Sequence, residues 1–188
     1  MTAAPITYVR HAMPRVEDGV DSAHWHLDDA TRASARAWAE RLEVGPGIAA
    51  LVTSTEPKAL ETAAAIAERW PTEVHEDDRL REAVRPWIGT GYRAMAHAYL
   101  RGEPLDGWEP HGEVATRVGA AVRAAQEAAA GGPVVIVGHG LALSIHLGDQ
   151  LGADFDRESF WSRLAFPDAW VLDRGELHRS LPSAAERR

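Results

Sequence analysis

The chain has 188 residues, of which 45% are hydrophobic and 26% are charged, and its formal net charge is −8 at pH 7. This length suits a single domain over residues 1–188. The acidic balance argues against nucleic acid as a partner, because phosphate-backbone binding needs a broad basic surface. The chain has no cysteine, which excludes disulfides, thiolate catalysis and cysteine-based zinc sites. With no signal-peptide pattern and no apolar run near the roughly 18 residues that cross a bilayer, we expect a cytoplasmic protein without a membrane partner.

The first predicted strand, residues 6–9, ends in a cation and an imidazole, Arg10 and His11. Far downstream a second apolar run, residues 134–137, leads to His139 between two glycines, which allow a tight turn and a close approach to a ligand. Open α/β sheets bind ligands at the carboxyl ends of their strands. Two such strands in one sheet would bring both imidazoles to one edge.

Strand and helix patterns alternate along the rest of the chain. This alternation predicts an α/β fold: a three-layer αβα sandwich with a mostly parallel sheet and helices on both faces. The predicted helices cover residues 31–42, 57–70, 92–100, 113–130 and 141–151, and the predicted strands cover residues 6–9, 50–54, 73–76, 134–137, 163–166, 169–172 and 176–179. A hairpin turn is expected at residues 173–175, and the tail from residue 183 is expected to fray.

Two irregular segments flank the predicted strand ends. Residues 13–30 form a loop rich in Pro, Gly, Asp and His, and residues 83–112 are expected to form a lid with one short helix. The first segment contains His24 and His26 on either side of Trp25, but no third metal ligand lies nearby in sequence. We therefore expect no metal site there, and interpret Trp25 as an anchor for the loop.

Five residues in these patterns carry chemistry: Arg10, His11, Lys58, Glu82 and His139. Phosphoryl transfer needs several donors at fixed positions, because negative charge spreads over the phosphoryl oxygens in the transition state. A neutral imidazole can attack phosphorus, and a carboxylic acid can protonate the leaving alkoxide. Lys58 lies in the first turn of a predicted helix, where an anion is favoured, and it is the only lysine among 20 basic residues.

Five segments, in order, resemble motifs of the histidine phosphatase superfamily, the phosphoglycerate mutase-like proteins. They are Arg10-His11-Ala12 for Arg-His-Gly, residues 54–63 for Ser-x-x-x-Arg-Ala-x-x-Thr-Ala, Leu80-Arg81-Glu82 for Leu-x-Glu, Gly112-Glu113 with Arg117-Val118 for a Gly-Glu-Ser helix start, and Gly138-His139-Gly140 for the second histidine. The resemblance implies a phosphatase that forms a phosphohistidine on His11, with Glu82 as proton donor. It further implies that Arg10, Lys58 and His139 hold the phosphoryl oxygens, and that hydrolysis needs no metal or organic cofactor.

Two departures from the motifs bear on activity. Ala12 replaces a glycine and so disfavours a positive φ at that position. Lys58 replaces an arginine, which exchanges a planar fork of five donors for a flexible point charge. These departures motivate one alternative, a phosphate-binding pseudoenzyme that does not turn over.

The main catalytic alternative is a mutase that returns the phosphoryl group to a sugar acid. The family's mutases carry a long, basic insertion between the acid residue and the Gly-Glu helix. Here that stretch is short and has only Arg85, Arg93 and Arg101 as basic residues, which favours a phosphatase. The expected partner is a small phosphorylated molecule, with Arg15, Arg85 and Arg93 as rim cations. A homodimer is one option for the assembly. A metal hydrolase is the least favoured reading, because the histidines lack clustered ligand spacing.

Overall fold

Six strands form one sheet in the order β3-β2-β4-β1-β5-β6 in a computed structural model that describes residues 4–180. The strands are β1 (Ile6–Arg10), β2 (Ala50–Thr53), β3 (Val74–Glu76), β4 (Val134–Gly138), β5 (Asp168–Asp173) and β6 (Glu176–Arg179). The first four strands pair in parallel, whereas β5 and β6 continue the sheet antiparallel at one side. The predicted mostly parallel sheet is therefore confirmed, with an antiparallel extension.

Six α-helices cover the two faces of this sheet. They are α1 (Asp29–Ala39), α2 (Pro57–Arg69), α3 (Tyr92–Leu100), α4 (His111–Ala128), α5 (Gly140–Leu151) and α6 (Arg157–Arg163). Successive strand side chains point to opposite faces, so Ile6 and Tyr8 of β1 join a core with α3 to α6, while Val9 joins a second core with α1 and α2. The three-layer αβα sandwich predicted from the sequence is confirmed. None of the helices within residues 4–180 is long and apolar enough to cross a membrane.

One predicted strand is wrong. Residues 163–166 do not extend the sheet, because Arg163 ends helix α6 and the following residues form a loop. The Asp156 side chain caps this helix by accepting from the Ser159 N–H, and Phe160 and Trp161 bury their rings in the core. The buried aromatic residues just before the predicted strand therefore belong to a helix, and residues 164–167 connect that helix to β5.

The predicted hairpin turn joins β5 to β6. Arg174 and Gly175 both have positive φ, at 50° and 84°. Two consecutive positive φ values give a turn whose twist matches that of antiparallel strands, and glycine adopts one without strain. The tail from residue 183 lies outside the described residues.

Candidate active site

His11 and His139 follow two neighbouring parallel strands. Arg10 of β1 and Gly138 of β4 are register partners, and each histidine is the next residue in its chain segment. The backbone N–H of His11 donates to the Gly138 carbonyl at 3.1 Å. As a result the centroids of the two imidazole rings lie 5.0 Å apart at the carboxyl edge of the sheet.

The His11 ring is held as a neutral imidazole. Its Nδ1 lies 2.7 Å from the Ala12 carbonyl oxygen. Because a carbonyl only accepts, Nδ1 carries the ring proton and the lone pair is on Nε2. Burial lowers the pKa of His11 well below its ordinary value, and the neighbouring His139 and Lys58 lower it further. At neutral pH His11 therefore presents an unprotonated ring nitrogen.

The His139 ring lies completely buried behind His11. Its Nε2 is 2.8 Å from Ser54 Oγ, which in turn accepts from the Glu56 N–H at 3.3 Å. With that hydroxyl donating to Nε2, the proton of the neutral ring is on Nδ1, which is buried and has no partner among residues 4–180. Burial is the largest cause of the lowered pKa of His139, and the positive charge of Lys58 is the second.

Lys58 forms a buried ion pair with Glu56. Its ammonium donates to Glu56 Oε2 and to the Ser22 carbonyl at 2.6 Å. The other carboxylate oxygen of Glu56 accepts from the Glu82 N–H at 2.7 Å and lies 3.5 Å from His139 Nε2. Glu56 thus connects three of the predicted site residues. Sequence reasoning missed this role because its partners, Glu82 and His139, are distant in the chain.

The Glu82 carboxylate sits on the N-terminus of α5. Oε1 accepts from the Ala142 N–H at 2.8 Å and from the Ala83 N–H at 2.9 Å, and Oε2 accepts from the Leu141 N–H at 3.2 Å. The contacts with Leu141 and Ala142 give partners to N–H groups that a helix N-terminus leaves unpaired. The arrangement fixes the carboxyl group of Glu82 beside the segment that carries His139.

Arg117 of α4 holds the backbone of the Glu82 segment. Its guanidinium donates to the carbonyls of Arg81 at 2.7 Å and Glu82 at 3.1 Å, and it forms a buried ion pair with Glu109. Arg117 lies in one of the matching motifs, but its chain spacing gives no sign that it clamps a distant loop. The position of Glu82 therefore depends on both α4 and α5.

The Arg10 guanidinium lies between an aromatic ring and a glycine. Its Cζ is 3.4 Å from the Phe166 ring centroid, and it donates to the Leu164 carbonyl at 3.1 Å. A Cβ on Gly140 would lie 3.2 Å from that Cζ, so the absence of a side chain admits the guanidinium. Burial lowers the pKa of Arg10 to about 10, which leaves it charged at neutral pH.

Ala12 fits its position without strain. It is not among the described non-glycine residues with positive φ, and its N–H donates to Thr62 Oγ1 at 2.9 Å. The backbone conformation here thus does not require the glycine of the motif.

A cavity of about 680 Å³ opens over His11. Four of the five residues predicted to carry chemistry line it, namely Arg10, His11, Lys58 and Glu82, while His139 does not. Its outer walls come from residues 13–25 and 82–93, the two irregular segments. Arg85 and Arg93 are on these walls as predicted, whereas Arg15 is not a lining residue. That residues 83–112 move as a lid stays a prediction.

Metal-ligating side chains do not cluster in the part of the chain that the structure describes: no group of three or more His, Cys, Asp or Glu could hold an ion. His26 instead pairs with Glu61, with Nδ1 and Oε1 2.8 Å apart. The Trp25 Nε1–H donates to the Val20 carbonyl at 3.1 Å, which anchors the loop.

Comparison with protein families agrees with this arrangement. A family model described as "Histidine phosphatase superfamily (branch 1)" matches residues 6–167. The chain belongs to the histidine phosphatase superfamily. The matched range begins with β1 and includes every residue of the site described above. Among curated proteins, a search finds no match.

Solved structures share the histidine phosphatase fold over nearly the whole chain. YhfR of Bacillus stearothermophilus is 24% identical, with a TM-score of 0.74, and the match covers 95% of this chain and 96% of that one. A mycobacterial glucosyl-3-phosphoglycerate phosphatase is 22% identical, with a TM-score of 0.68 and coverage of 95% and 98%. A phosphoglycerate mutase of Bacillus anthracis is 18% identical, with a TM-score of 0.65 and coverage of 96% and 93%. The neighbours thus include both phosphatases and a mutase.

Proposed function

We propose that the protein is a phosphatase that hydrolyses a small phosphomonoester through a phosphohistidine on His11. The observation that carries this proposal is the neutral His11 ring, whose Nδ1 is occupied by the Ala12 carbonyl and whose Nε2 is unprotonated beside the cavity. Histidine is a nucleophile only when a ring nitrogen has its lone pair free.

The reaction has two displacements at phosphorus. In the first, the Nε2 lone pair of His11 forms a bond to phosphorus while the bond to the leaving alcohol breaks, and the carboxyl proton of Glu82 passes to the departing oxygen. In the second, a water oxygen attacks phosphorus, Glu82 takes up a proton from that water, and the N–P bond breaks. Inorganic phosphate leaves, and both side chains return to their starting states.

Three donors would hold the phosphoryl oxygens in both steps. Arg10 supplies a guanidinium whose Nε is buried and unpartnered among the described residues. His139 does not line the cavity and would donate its unpartnered Nδ1–H from behind His11. Lys58 supplies an ammonium at the cavity wall. Fixed donors of this kind stabilise the charge that develops on the phosphoryl group without reorganising.

A phosphatase is favoured over a mutase by the wall of the cavity. A mutase must bind the carboxylate of a sugar acid in both substrate and product. The wall built by residues 82–93 offers only Arg85 and Arg93 as further cations, and Arg85 is bonded to the Ala83 carbonyl and Ser22 Oγ. Asp18 and Asp21 lie on the facing wall, where they disfavour a second negative charge.

Phosphorylation of His11 is the direct test. A brief reaction with radiolabelled p-nitrophenyl phosphate, stopped in alkali, should give a label that is stable in base and lost in acid. His11→Ala should abolish both the label and the release of inorganic phosphate. His75→Ala removes an exposed histidine on β3 and serves as the matched control that keeps both.

Glu82→Gln tests the proton donor. The variant should lose about 10²- to 10⁴-fold in rate on ethyl phosphate, whose alkoxide needs a proton, and much less on p-nitrophenyl phosphate, whose phenolate leaves without one. Phosphate binding without label or turnover in the wild type would show a pseudoenzyme. Accumulation of an isomeric phosphate ester instead of inorganic phosphate would show a mutase.

A further inference from the structure

The exposed apolar side chains of the protein are concentrated at one place. Within residues 4–180, five large apolar residues are exposed, and four of these line the cavity over His11: Met13, Val16, Trp87 and Phe166. The fifth, Val84, is 53% exposed and lies outside the cavity. Single exposed apolar residues are ordinary, but four of five around one pocket indicate a binding surface.

Aromatic rings make up much of the same surface. Trp25 and Trp87 come from the two facing segments and meet edge to face, with ring centroids 5.7 Å apart and an interplanar angle of 81°. The indole N–H of Trp25 is already bonded to the Val20 carbonyl, so this ring offers the cavity mainly apolar surface. Tyr92 and Trp161 lie deeper, where their rings pack at 74°.

The cations beside His11 provide for one anionic group, and the charges elsewhere in the cavity lining are mixed in sign. Arg10 and Lys58 lie beside His11 and, under the proposed function, bind the phosphoryl oxygens. Farther out, Arg85 donates to Ser22 Oγ and its guanidinium lies 4.9 Å from the Tyr92 ring centroid. The acidic Asp18 and Asp21 share the outer region with Arg93. Away from the phosphoryl site the surface therefore suits an uncharged group.

We infer that the substrate is a phosphomonoester whose alcohol carries a large, flat, uncharged apolar group, of the size of a fused aromatic ring system. This inference rests on the proposed function, since it takes the phosphoryl group to lie at His11. The cavity of about 680 Å³ lies in the range that encloses a ligand of drug size. Such a group would fill the space between the Trp25 and Trp87 loops while its phosphate reaches His11.

A set of esters with similar leaving groups tests this substrate class. We compare 2-(2-naphthyl)ethyl phosphate, ethyl phosphate and 3-phosphoglycerate, because all three release a primary alcohol and differ mainly in what the cavity must hold. The naphthyl ester should exceed ethyl phosphate in kcat/KM by about 10- to 100-fold, as expected for burying one large apolar group. 3-Phosphoglycerate should be no better than ethyl phosphate.

Trp87→Ala tests whether the preference for the naphthyl ester arises from the apolar surface of the cavity. Trp87 is 49% exposed, so its loss does not open the core. The variant should lower the ratio of naphthyl to ethyl kcat/KM several-fold, whereas Val84→Ala, which removes an equally exposed side chain outside the cavity, should leave the ratio unchanged. Calorimetric binding of the same esters to His11→Ala reports the preference independently of turnover.

The outcomes separate the two proposals. Phosphate release with a ratio near one, or with 3-phosphoglycerate preferred, overturns the inferred substrate class and leaves the phosphatase intact. Tight naphthyl-ester binding without phosphate release from any ester overturns the phosphatase and supports the apolar ligand. If the wild type prefers the naphthyl ester and Trp87→Ala keeps the same ratio of naphthyl to ethyl kcat/KM, the apolar group does not bind against Trp87 and the inferred binding surface is wrong.

Discussion

The positive charge of Lys58 is already paired with the carboxylate of Glu56 before any ligand binds. The Lys58 and Glu56 side chains are only 5% and 8% exposed. Each charge therefore offsets most of the hydration energy that the other loses on burial. A phosphoryl group that binds Lys58 shares the ammonium with Glu56 and with the Ser22 carbonyl. A compact ammonium, with three rotatable donors, suits this shared position better than a planar guanidinium.

Two variants separate the structural role of Lys58 from its proposed role in phosphate binding. Lys58→Met leaves the Glu56 carboxylate buried without its partner and should cost about 3–5 kcal/mol in the free energy of unfolding. Adding Glu56→Gln removes that buried charge and should restore most of the stability. The double variant should nevertheless lose at least about 10-fold in kcat/KM, since a charge-assisted hydrogen bond contributes about 1.5–3 kcal/mol.

Urea denaturation and phosphate-release kinetics on the wild type, the single variant and the double variant measure the two effects. A stable double variant with wild-type kcat/KM would show that Lys58 is a structural partner of Glu56 alone. Competition by inorganic phosphate adds a readout of binding, because phosphate should inhibit the double variant less strongly than it inhibits the wild type.

At the scale of elements, the N-terminus of α5 brings several parts of the site together. His139 precedes its first turn, the Glu82 carboxylate accepts from its N–H groups, and Gly140 makes room for Arg10. A Cβ at Gly140 would lie 2.9 Å from Trp161 Nε1, a distance that real side chains do not tolerate.

Gly140→Ala should therefore displace Arg10 or Trp161 and lower kcat/KM about 10-fold or more, through the loss of a charged donor. Gly112→Ala is the matched control: this glycine also lies in a first helical turn, and its added Cβ meets no atom within 4 Å. The control should keep its activity and gain up to about 1 kcal/mol of helix stability. Steady-state kinetics and thermal unfolding of both variants check this, and equal activity in the two would contradict the packing argument.

The sequence was sufficient to predict most elements, and the errors have local causes. Helix α1 begins at Asp29, before the predicted residue 31, because the Asp28 side chain caps it by accepting from the Thr31 N–H. Helix α6 was missed although Asp156 is a good capping residue, since a helix of seven residues with two buried aromatic side chains is too short to show a helical hydrophobic period. Residues at strand ends could be predicted because the hydrophobic pattern shows where a strand stops.

The contacts within the site could not be predicted in the same way. Ser54 orients His139, Glu56 accepts from the Glu82 N–H, and Arg117 clamps the Glu82 backbone, each across a long chain separation. Such contacts depend on how helices and strands pack, and no local pattern encodes them. The motifs predicted that these residues share one site, but they did not predict which other side chains hold them there.

For the whole molecule, buried neutral histidines link stability to pH. Burial lowers the pKa of His146 to about 4 and those of His11 and His139 well below their ordinary value. In the unfolded chain each titrates near 6.5. A group whose pKa is lower in the folded state gives stability that is complete above its unfolded pKa and is lost as the pH falls below it.

Between pH 6 and pH 5 each of these histidines should therefore remove about 1 kcal/mol of unfolding free energy, or about 3 kcal/mol for the three. Partly buried His111 shifts in the same direction. Urea denaturation at pH 7, 6 and 5 measures the slope. His146→Gln changes a residue that is remote from the proposed chemistry, and its unfolding free energy should fall by about a third less between pH 6 and pH 5. An unfolding free energy of the wild type that stays constant down to pH 5 would contradict the burial of these histidines in neutral form.

The spacing of the two central imidazoles is inherited from the main chain. Their ring centroids are 5.0 Å apart, close to the about 4.8 Å that separates any two hydrogen-bonded strands. Backbone pairing thus sets the spacing of the two rings, whereas residues 13–25 and 82–93, which build the outer walls of the cavity, lie outside the sheet. Under the proposed function, exchanging those segments for others would change which substrate is accepted without moving the two imidazoles.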